Sequence, residues 1–407
     1  MQIDNNTEVH KKIAFLIPTY DSGGAERVIS NISLNLSDRF AQTLILLDSK
    51  TIDYEFKGEI IDIKRPLKHK SFIGRLYNFT KKYLLLKDLK KKEKYDTVIS
   101  FLDNLNIINS LTKQKEKTIL TVHTLQSKNL KGFYKKIYSF FYPLFFKRAD
   151  LILCVSYVGK NDLIDNYKVS PDKIKVIYNP FNVMHIQKLS NEKIKQDLRY
   201  VFDDKCFKLL HIGRPARAKA QWHLLRAFKR VQEQIKDIKL ILISRTGNDQ
   251  LQKDIFELIE DLNISSNIIQ LDFQSNPFSI MKNSDLLVIS SIYEGLPNVI
   301  IESFISGLPI ISTDCHSGPR ELLAPNSDIN TTAKDVEFAE YGVLTPVCDG
   351  KFRKADIPLT KEEILLSEAI IKMYHNKEKR SEYSKKGYKR ALEFDASKII
   401  GEYEEIL

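Results

Sequence analysis

Short apolar runs recur along the whole chain, each closed by a polar or glycine-containing turn and followed by a stretch of helical length. The first is "KKIAFLIPTY" (residues 11–20), which leads into "DSGGAERVISNISLNL". "FAQTLILLD", "YDTVISFLDN", "KTILTVHT", "ADLILCVS" and "IKVIYNPFN" repeat the theme. This alternation predicts parallel strands joined by crossover helices. Right-handed crossovers bring the polar strand ends to one edge, where open α/β sheets bind ligands. After the polar stretch "KLSNEKIKQDLRYVFDDKC" the pattern starts afresh, with "FKLLHIGR", "IKLILISR", "NIIQLDF", "DLLVIS", "LPIIST" and "YGVLTPV" as strands. The expected architecture is α/β, with a Rossmann-like domain over residues 1–190, a second over 191–385, and carboxyl edges facing a central cleft. Residues 386–407 read as C-terminal helix packing back on the first domain.

The composition narrows the class. A 43% hydrophobic and 28% charged chain of 407 residues is ordinary for a soluble globular protein. Cys154, Cys206, Cys315 and Cys348 show no short spacing, which argues against a disulfide framework or a zinc site and fits a reducing cytoplasm. The polar start "MQIDNNTEVHKK" is not a signal peptide. No apolar run approaches the roughly 18 residues of a membrane span. Charge is uneven: residues 1–190 hold 32 Lys and Arg against 19 Asp and Glu, while the remainder holds 31 against 33. The basic excess lies wholly in the first half, beside apolar aromatics, and suits an anionic surface.

Several residues could carry chemistry. Gly23 and Gly24, between a strand and a helix, would let backbone N–H groups approach a phosphate, although a plain tight turn has the same signature. In "HIGRPARAKAQWHLLRAF", Arg214 and Lys219 place two cations at a strand–helix junction, an arrangement suited to a diphosphate. In "EGLPNVIIE", Glu294 and Glu302 stand eight positions apart, and carboxylates are good acceptors for hydroxyl pairs. Glu302 lies within an otherwise apolar helix, where an idle acid would be costly. His123 ends a strand at the carboxyl edge. The sequence lacks Asp-x-Asp, a G-x-x-x-x-G-K-[ST] loop and G-x-G-x-x-G, so a dinucleotide dehydrogenase is not expected.

Taken together, "GGAERV", "GRPARAK", E-x7-E in "EGLPNVIIE" and the following "STDCHSGPREL" resemble the retaining family 4 glycosyltransferases of the GT-B fold. The resemblance spans Lys12 to about Leu322. It implies that Arg214 and Lys219 neutralise a leaving diphosphate, and that Glu302 binds the nucleotide ribose. Glu294 with Gly295, Leu296, Pro297 and Asn298 would hold the transferred sugar. Gly23 and Gly24 would approach the diphosphate, and His123 would contact the sugar. Asn276, in "FQSNP", would edge the nucleobase, and Glu321 would support the sugar loop. The sequence departs from the family at Ala220 and Asp272, where glycine is common, and in "LISRTGND", which keeps only Gly247 of a Gly-x-Gly turn.

The expected reaction is retaining, metal-independent and cofactor-free transfer of a sugar from a nucleotide-sugar, most naturally a UDP-sugar. The expected acceptor is a polyprenyl-diphosphate-linked saccharide, with the enzyme peripheral on the cytoplasmic face of the plasma membrane. Segment 128–148 and Lys81, Lys82, Lys87, Lys90, Lys91, Lys92 and Lys94 are the expected contacts with an anionic membrane surface. Two other readings share some features. A non-hydrolysing UDP-sugar epimerase could use the same architecture. A basic nucleic-acid-binding protein is the other, but no helix-turn-helix, RNP or zinc signature appears, so no nucleic-acid partner is expected.

Overall fold

The computed structural model describes residues 10–407 except 22, 50, 65–70, 126, 128–141 and 245–249. Segment 128–148 therefore lies outside the described residues as far as 141, and so does Gly247. The chain forms two compact units. The first runs to Phe181 and takes in Ala396–Leu407; the second is Asn182–Asp395.

The first unit is a seven-stranded sheet built from β1 (Lys11–Ile17), β2 (Phe40–Leu46), β3 (Glu59–Asp62), β4 (Thr97–Ser100), β5 (Lys117–Val122), β6 (Leu151–Cys154) and β7 (Ile174–Val176). Its order is β3-β2-β1-β4-β5-β6-β7, and every pairing is parallel. A parallel sheet is buried on both faces, and the period of two in β1 shows how. Ile13, Phe15 and Ile17 point into one core with Val28, Ile29 and Ile32 of α1 (Gly24–Asn35). Ala14 and Leu16 join the other core, with Leu86 of α2 (Phe72–Glu93) and Leu105 and Ile108 of α3 (Asp103–Leu111). Helix α4 (Tyr157–Tyr167) follows β6.

The second unit begins with α5 (Val183–Ser190). Its sheet contains β8 (Phe207–Ile212), β9 (Ile238–Ile243), β10 (Ile268–Leu271), β11 (Leu286–Ile289), β12 (Ile310–Thr313), β13 (Glu337–Phe338) and β14 (Val343–Thr345). The order is β10-β9-β8-β11-β12-β14-β13, parallel except for the β13–β14 edge pair. Flanking helices are α6 (Gln221–Gln234), α7 (Gln250–Asp261), α8 (Pro277–Lys282), α9 (Asn298–Ser306), α10 (Pro319–Leu323), α11 (Lys361–His375) and α12 (Lys377–Ala391). The last helix of the chain is α13 (Ala396–Ile406).

Two boundaries differ from the sequence reading. The first unit ends at 181, not 190, because α5 is held by the second unit. Asn182 caps it by accepting from His185 N at 2.9 Å, Val183 N donates to Asp395 at 3.2 Å, and Asn276 donates to Leu189 O at 3.0 Å. Residues 386–395 also stay with the second unit, where α12 packs against α9. The return to the first unit starts at Ala396, whose N–H donates to Phe181 O at 2.8 Å. Ile399, Ile400 and Tyr403 of α13 then fill the core around β1. Glu404 receives Ser37 N and Arg39, and Leu407 O receives Thr97 Oγ1 at 3.0 Å. Two edge strands, β3 and β13, were not legible in the sequence.

The α9–α12 contact depends on a missing side chain. A Cβ at Gly387 would lie 2.6 Å from the Phe304 ring, and Phe304 is buried one turn and a half after the start of α9. Gly387→Ala should therefore destabilise the second unit by about 1–3 kcal/mol through overpacking, read as a lower urea midpoint with circular dichroism unchanged in water.

Candidate active site

In an open α/β sheet the strand order reverses at one point, and the loops leaving the two strands there splay apart to make a crevice. In the second unit that point lies between β8 and β11. The loop after β8 carries Arg214 and Lys219, and the loop after β11 carries Glu294 to Pro297. Lys219 Nζ donates to Glu294 Oε1 at 2.6 Å, and Ser291 Oγ donates to the same oxygen at 2.6 Å. One backbone and one side-chain hydrogen bond align the two loops: Ile292 N donates to Ala218 O at 2.8 Å and Ser290 Oγ to Lys219 O at 2.9 Å. Arg214 is exposed and makes no hydrogen bond or ion pair with the described residues; Arg217 shares both properties.

The third strand in line, β12, buttresses the Glu294 loop from outside. Thr313 Oγ1 donates to Ser291 O at 2.5 Å, and Ser317 Oγ donates to Gly295 O at 2.7 Å. Gly318 has φ +87°, and a Cβ there would lie 2.3 Å from Pro297 Cδ. Only glycine meets both demands. Gly295, Leu296 and Pro297 are buried, and Asn298 opens α9 at the crevice. Glu302, about one turn into α9, is buried, and Gly307 closes the helix in the left-handed region. Ala220, where the family commonly has glycine, also adopts a left-handed conformation, with φ +45°. The preference for glycine there is thus a backbone demand that this chain meets with a strained alanine.

The side chain of Asn276 is committed to the fold. Asn276 caps α8 by accepting from Phe278 N and Ser279 N, while its amide donates to Leu189 O and Glu192. Its side chain is thereby fully engaged within the second unit. Glu321 is buried in α10, and its carbonyl accepts from Arg390 at 3.2 Å.

In the first unit the order reverses between β1 and β4. Gly23 caps α1 there with φ −90°, so it needs no glycine backbone freedom; a Cβ would lie 2.0 Å from the Glu26 carboxylate, the movable end of a side chain. Gly24 begins α1. His123, just past β5, stacks on Phe101 at 5.4 Å and pairs with Thr121 Oγ1 at 3.0 Å. Desolvation pushes its pKa down to about 4, so it is neutral at physiological pH. Leu102, beside Phe101, has φ +72° and ψ 146°, a region costly for any residue with a side chain.

Motif reading missed His211 at the end of β8. Its Nδ1 is 2.9 Å from Val288 O. A carbonyl can only accept, so Nδ1 carries the proton. Nε2 is a buried acceptor with no hydrogen-bond partner among the described residues. The ring feels Lys219 and Glu294 electrostatically, and burial lowers its pKa to about 4. The one available signal was the run of polar residues closing "FKLLHIGR". Among the described residues no group of three or more His, Cys, Asp or Glu is placed to hold a metal ion.

Comparison with known proteins gives the class: this is the fold and sequence of a glycosyltransferase. The glycosyl transferases group 1 model matches residues 192–340, and the glycosyltransferase family 4 model matches residues 22–184. An uncharacterized glycosyltransferase of Methanocaldococcus jannaschii is 36% identical over 88% of this chain and 92% of its own length. N-acetylgalactosamine-N,N'-diacetylbacillosaminyl-diphospho-undecaprenol 4-alpha-N-acetylgalactosaminyltransferase of Campylobacter jejuni is 28% identical, over 85% of this chain and 92% of that protein. Among solved structures, Anabaena HepE in complex with UDP and glucose superposes with a TM-score of 0.75 and 19% identity, over 97% of this chain and 99% of that one. The chain belongs to the family 4 glycosyltransferases and has the GT-B fold.

His211 makes the second unit acid-sensitive. Its folded pKa is depressed below the unfolded value, so the unfolded chain binds the proton first. Stability is whole above about pH 6.5 and falls as pH drops toward about 4, by on the order of 3 kcal/mol. His211→Asn retains an N–H donor near Nδ1 and should flatten that limb in urea midpoints measured across this window. An unaltered acid limb would assign the effect elsewhere.

Proposed function

We propose that this glycosyltransferase moves a sugar from a UDP-sugar to a saccharide carried on a polyprenyl diphosphate, with retention of anomeric configuration, during cell-surface polysaccharide or glycan assembly. The observation that carries this reading is the pairing of an uncommitted Arg214 with Lys219 at the switch point of the second unit. Two cations there suit a diphosphate, and Lys219 already holds a carboxylate at 2.6 Å. Support for the donor nucleotide comes from HepE, solved with UDP and glucose. Support for a lipid-linked acceptor comes from the Campylobacter relative, whose name specifies a diphospho-undecaprenol substrate.

In this reading Arg214 and Lys219 stabilise the charge that grows on the leaving diphosphate, so no metal is required. Glu302 accepts from the ribose hydroxyls. Glu294 and the backbone of Gly295–Asn298 hold the sugar, with Ser291 fixing the carboxylate. No side chain is assigned as a nucleophile. The acceptor attacks on the face from which the diphosphate leaves, and the departing phosphate oxygen takes the acceptor proton. The enzyme works peripherally at an anionic cytoplasmic leaflet, without nucleic acid.

The test is nucleotide release across UDP-, GDP- and ADP-sugars, with membrane lipid extract as acceptor source and EDTA present. Release from one UDP-sugar that rises with extract is expected. Arg214→Ala should lower kcat by roughly 10²-fold or more with folding intact. A loss below tenfold would remove the leaving-group role from Arg214, and release abolished by EDTA would remove metal independence.

A further inference from the structure

Behind His123 a chain of buried polar side chains crosses the first unit from α2 through α3 and β4 to β5. It starts at Lys90, which the sequence reading counted among the surface lysines but which is buried. Lys90 Nζ donates to Glu116 Oε1 and to Asn109 Oδ1, both at 2.7 Å. Asn109 Nδ2 donates to Ser100 Oγ at 3.1 Å, and Ser100 Oγ donates to Asn106 Oδ1 at 2.7 Å. Asn106 Nδ2 ends the chain on Thr121 O at 2.8 Å. Thr121 Oγ1 returns to Ser100 O at 2.8 Å and meets His123 Nε2 at 3.0 Å. Glu116, Ser100, Asn106, Asn109 and Thr121 are all buried. Polar groups this deep hold a single arrangement when each is satisfied.

The direction of each bond in the chain is forced. An ammonium only donates, so Asn109 turns its oxygen to Lys90 and its NH2 group to Ser100. A carbonyl only accepts, so Asn106 turns its NH2 group to Thr121 O and its oxygen to the Ser100 hydroxyl. By the same rule Thr121 places its one hydroxyl proton on Ser100 O. The lengths agree, since 2.8 Å is usual for O–H···O and 3.0 Å for N–H···O. Thr121 therefore offers His123 a lone pair, and the ring must donate from Nε2. The ring is neutral, with its pKa pushed down to about 4 by desolvation, so it has one proton to place. Nδ1 is left as a bare acceptor. It has no hydrogen-bond partner among the described residues, and His123 is partly exposed at the carboxyl edge. Stacking on Phe101 at 5.4 Å steadies the ring plane.

We infer that Thr121 is a positioning residue for His123: with the chain behind it, it fixes the Nε2–H tautomer and leaves Nδ1 to accept from a hydroxyl or N–H group of a ligand at the carboxyl edge of the first unit. A ligand group that can only accept, such as a carboxylate, would meet a lone pair there. The inference rests on the proposed function for the identity of that ligand, a saccharide, while the tautomer is read without it. The test is a proton–nitrogen correlation spectrum of the full chain carrying isotope-labelled histidine, at neutral pH, with His123→Gln identifying the ring signals. The wild type should show a protonated Nε2 and an unprotonated Nδ1. Thr121→Ser keeps the hydroxyl and should keep that pattern. Thr121→Val keeps the shape without the hydroxyl and should give mixed tautomers or Nδ1–H. Sugar transfer, followed as nucleotide release, should lose roughly tenfold in kcat/KM in Thr121→Val and stay within about threefold in Thr121→Ser. A wild-type ring protonated on Nδ1 would overturn the inference, and that spectrum decides even where Thr121→Val does not fold. An unchanged tautomer in folded Thr121→Val would overturn it too, as would a lost tautomer with kcat/KM unaltered. A chain that shows the fixed tautomer and its loss in Thr121→Val, yet transfers no sugar, would sink the transferase reading and leave the role of Thr121 standing.

Discussion

Lys219 and Glu294 lie 75 positions apart and meet at 2.6 Å. Both side chains are mostly withdrawn from water, 23% and 12% exposed. A pair so placed recovers little net energy once desolvation is counted, so stability is a weak reason for it. Its structural effect is more definite: it locks the loop after β8 to the loop after β11 across the switch point. Ser291 adds a second donor to the same oxygen, which fixes the rotamer of Glu294 as well as its charge. Under the proposed function, an arriving diphosphate gives Lys219 a more highly charged acceptor. Glu294 is then released to accept from sugar hydroxyls.

The scaffold beneath this pair is built so that the two loops cannot drift. Strands β8, β11 and β12 are adjacent, parallel and buried on both faces. Each sends one loop to the same edge, and each loop is tied to its neighbour by a side-chain hydroxyl: Ser290 to Lys219 O, Thr313 to Ser291 O, Ser317 to Gly295 O. Helix α9 then carries Glu302 away from the edge, and α12 presses on α9 through the Phe304–Gly387 contact. The site is therefore positioned by neighbouring strands and a backing helix, with little dependence on the loops' own conformational preferences.

Much of this was legible in the sequence for a physical reason. Strand runs buried on both faces are continuously apolar, and the acids and bases at their ends stand out against them. Glu294, Arg214 and Lys219 were visible in that way, and Glu302 stood out as an acid within an apolar helix. Strands β3 and β13 were not, because "EIID" and "EF" sit at sheet edges and carry charge where a central strand would be apolar. Ser291, Thr313 and His211 were not visible either. Their partners are backbone carbonyls or residues far along the chain, and nothing in local spacing marks them. Asn276 carries two signatures at once. Its motif pointed to a ligand, but asparagine is also a strong helix cap, and a proline one residue later is the signature of a helix start.

The arginines separate the same two roles. Arg226 gives its donors to Glu363, Lys354 O, Ile357 O and Pro358 O, while His223 shares the same Glu363 oxygen at 2.7 Å. Arg320 binds Asp314, Ser327 and Glu337. Both clusters are buried, and both hold irregular chain, residues 349–360 in one case and 327–337 in the other, whose carbonyls and side chains lack a sheet or helix to satisfy them. A guanidinium used structurally is therefore recognisable here by a full set of partners. Arg214 has none among the described residues, although it sits at the one edge where the fold opens a crevice. A planar cation with five donors is poorly placed on a surface loop for stability alone. Arg217, in the same loop, also lacks partners among the described residues, and under the proposed function both are free to meet an anionic ligand.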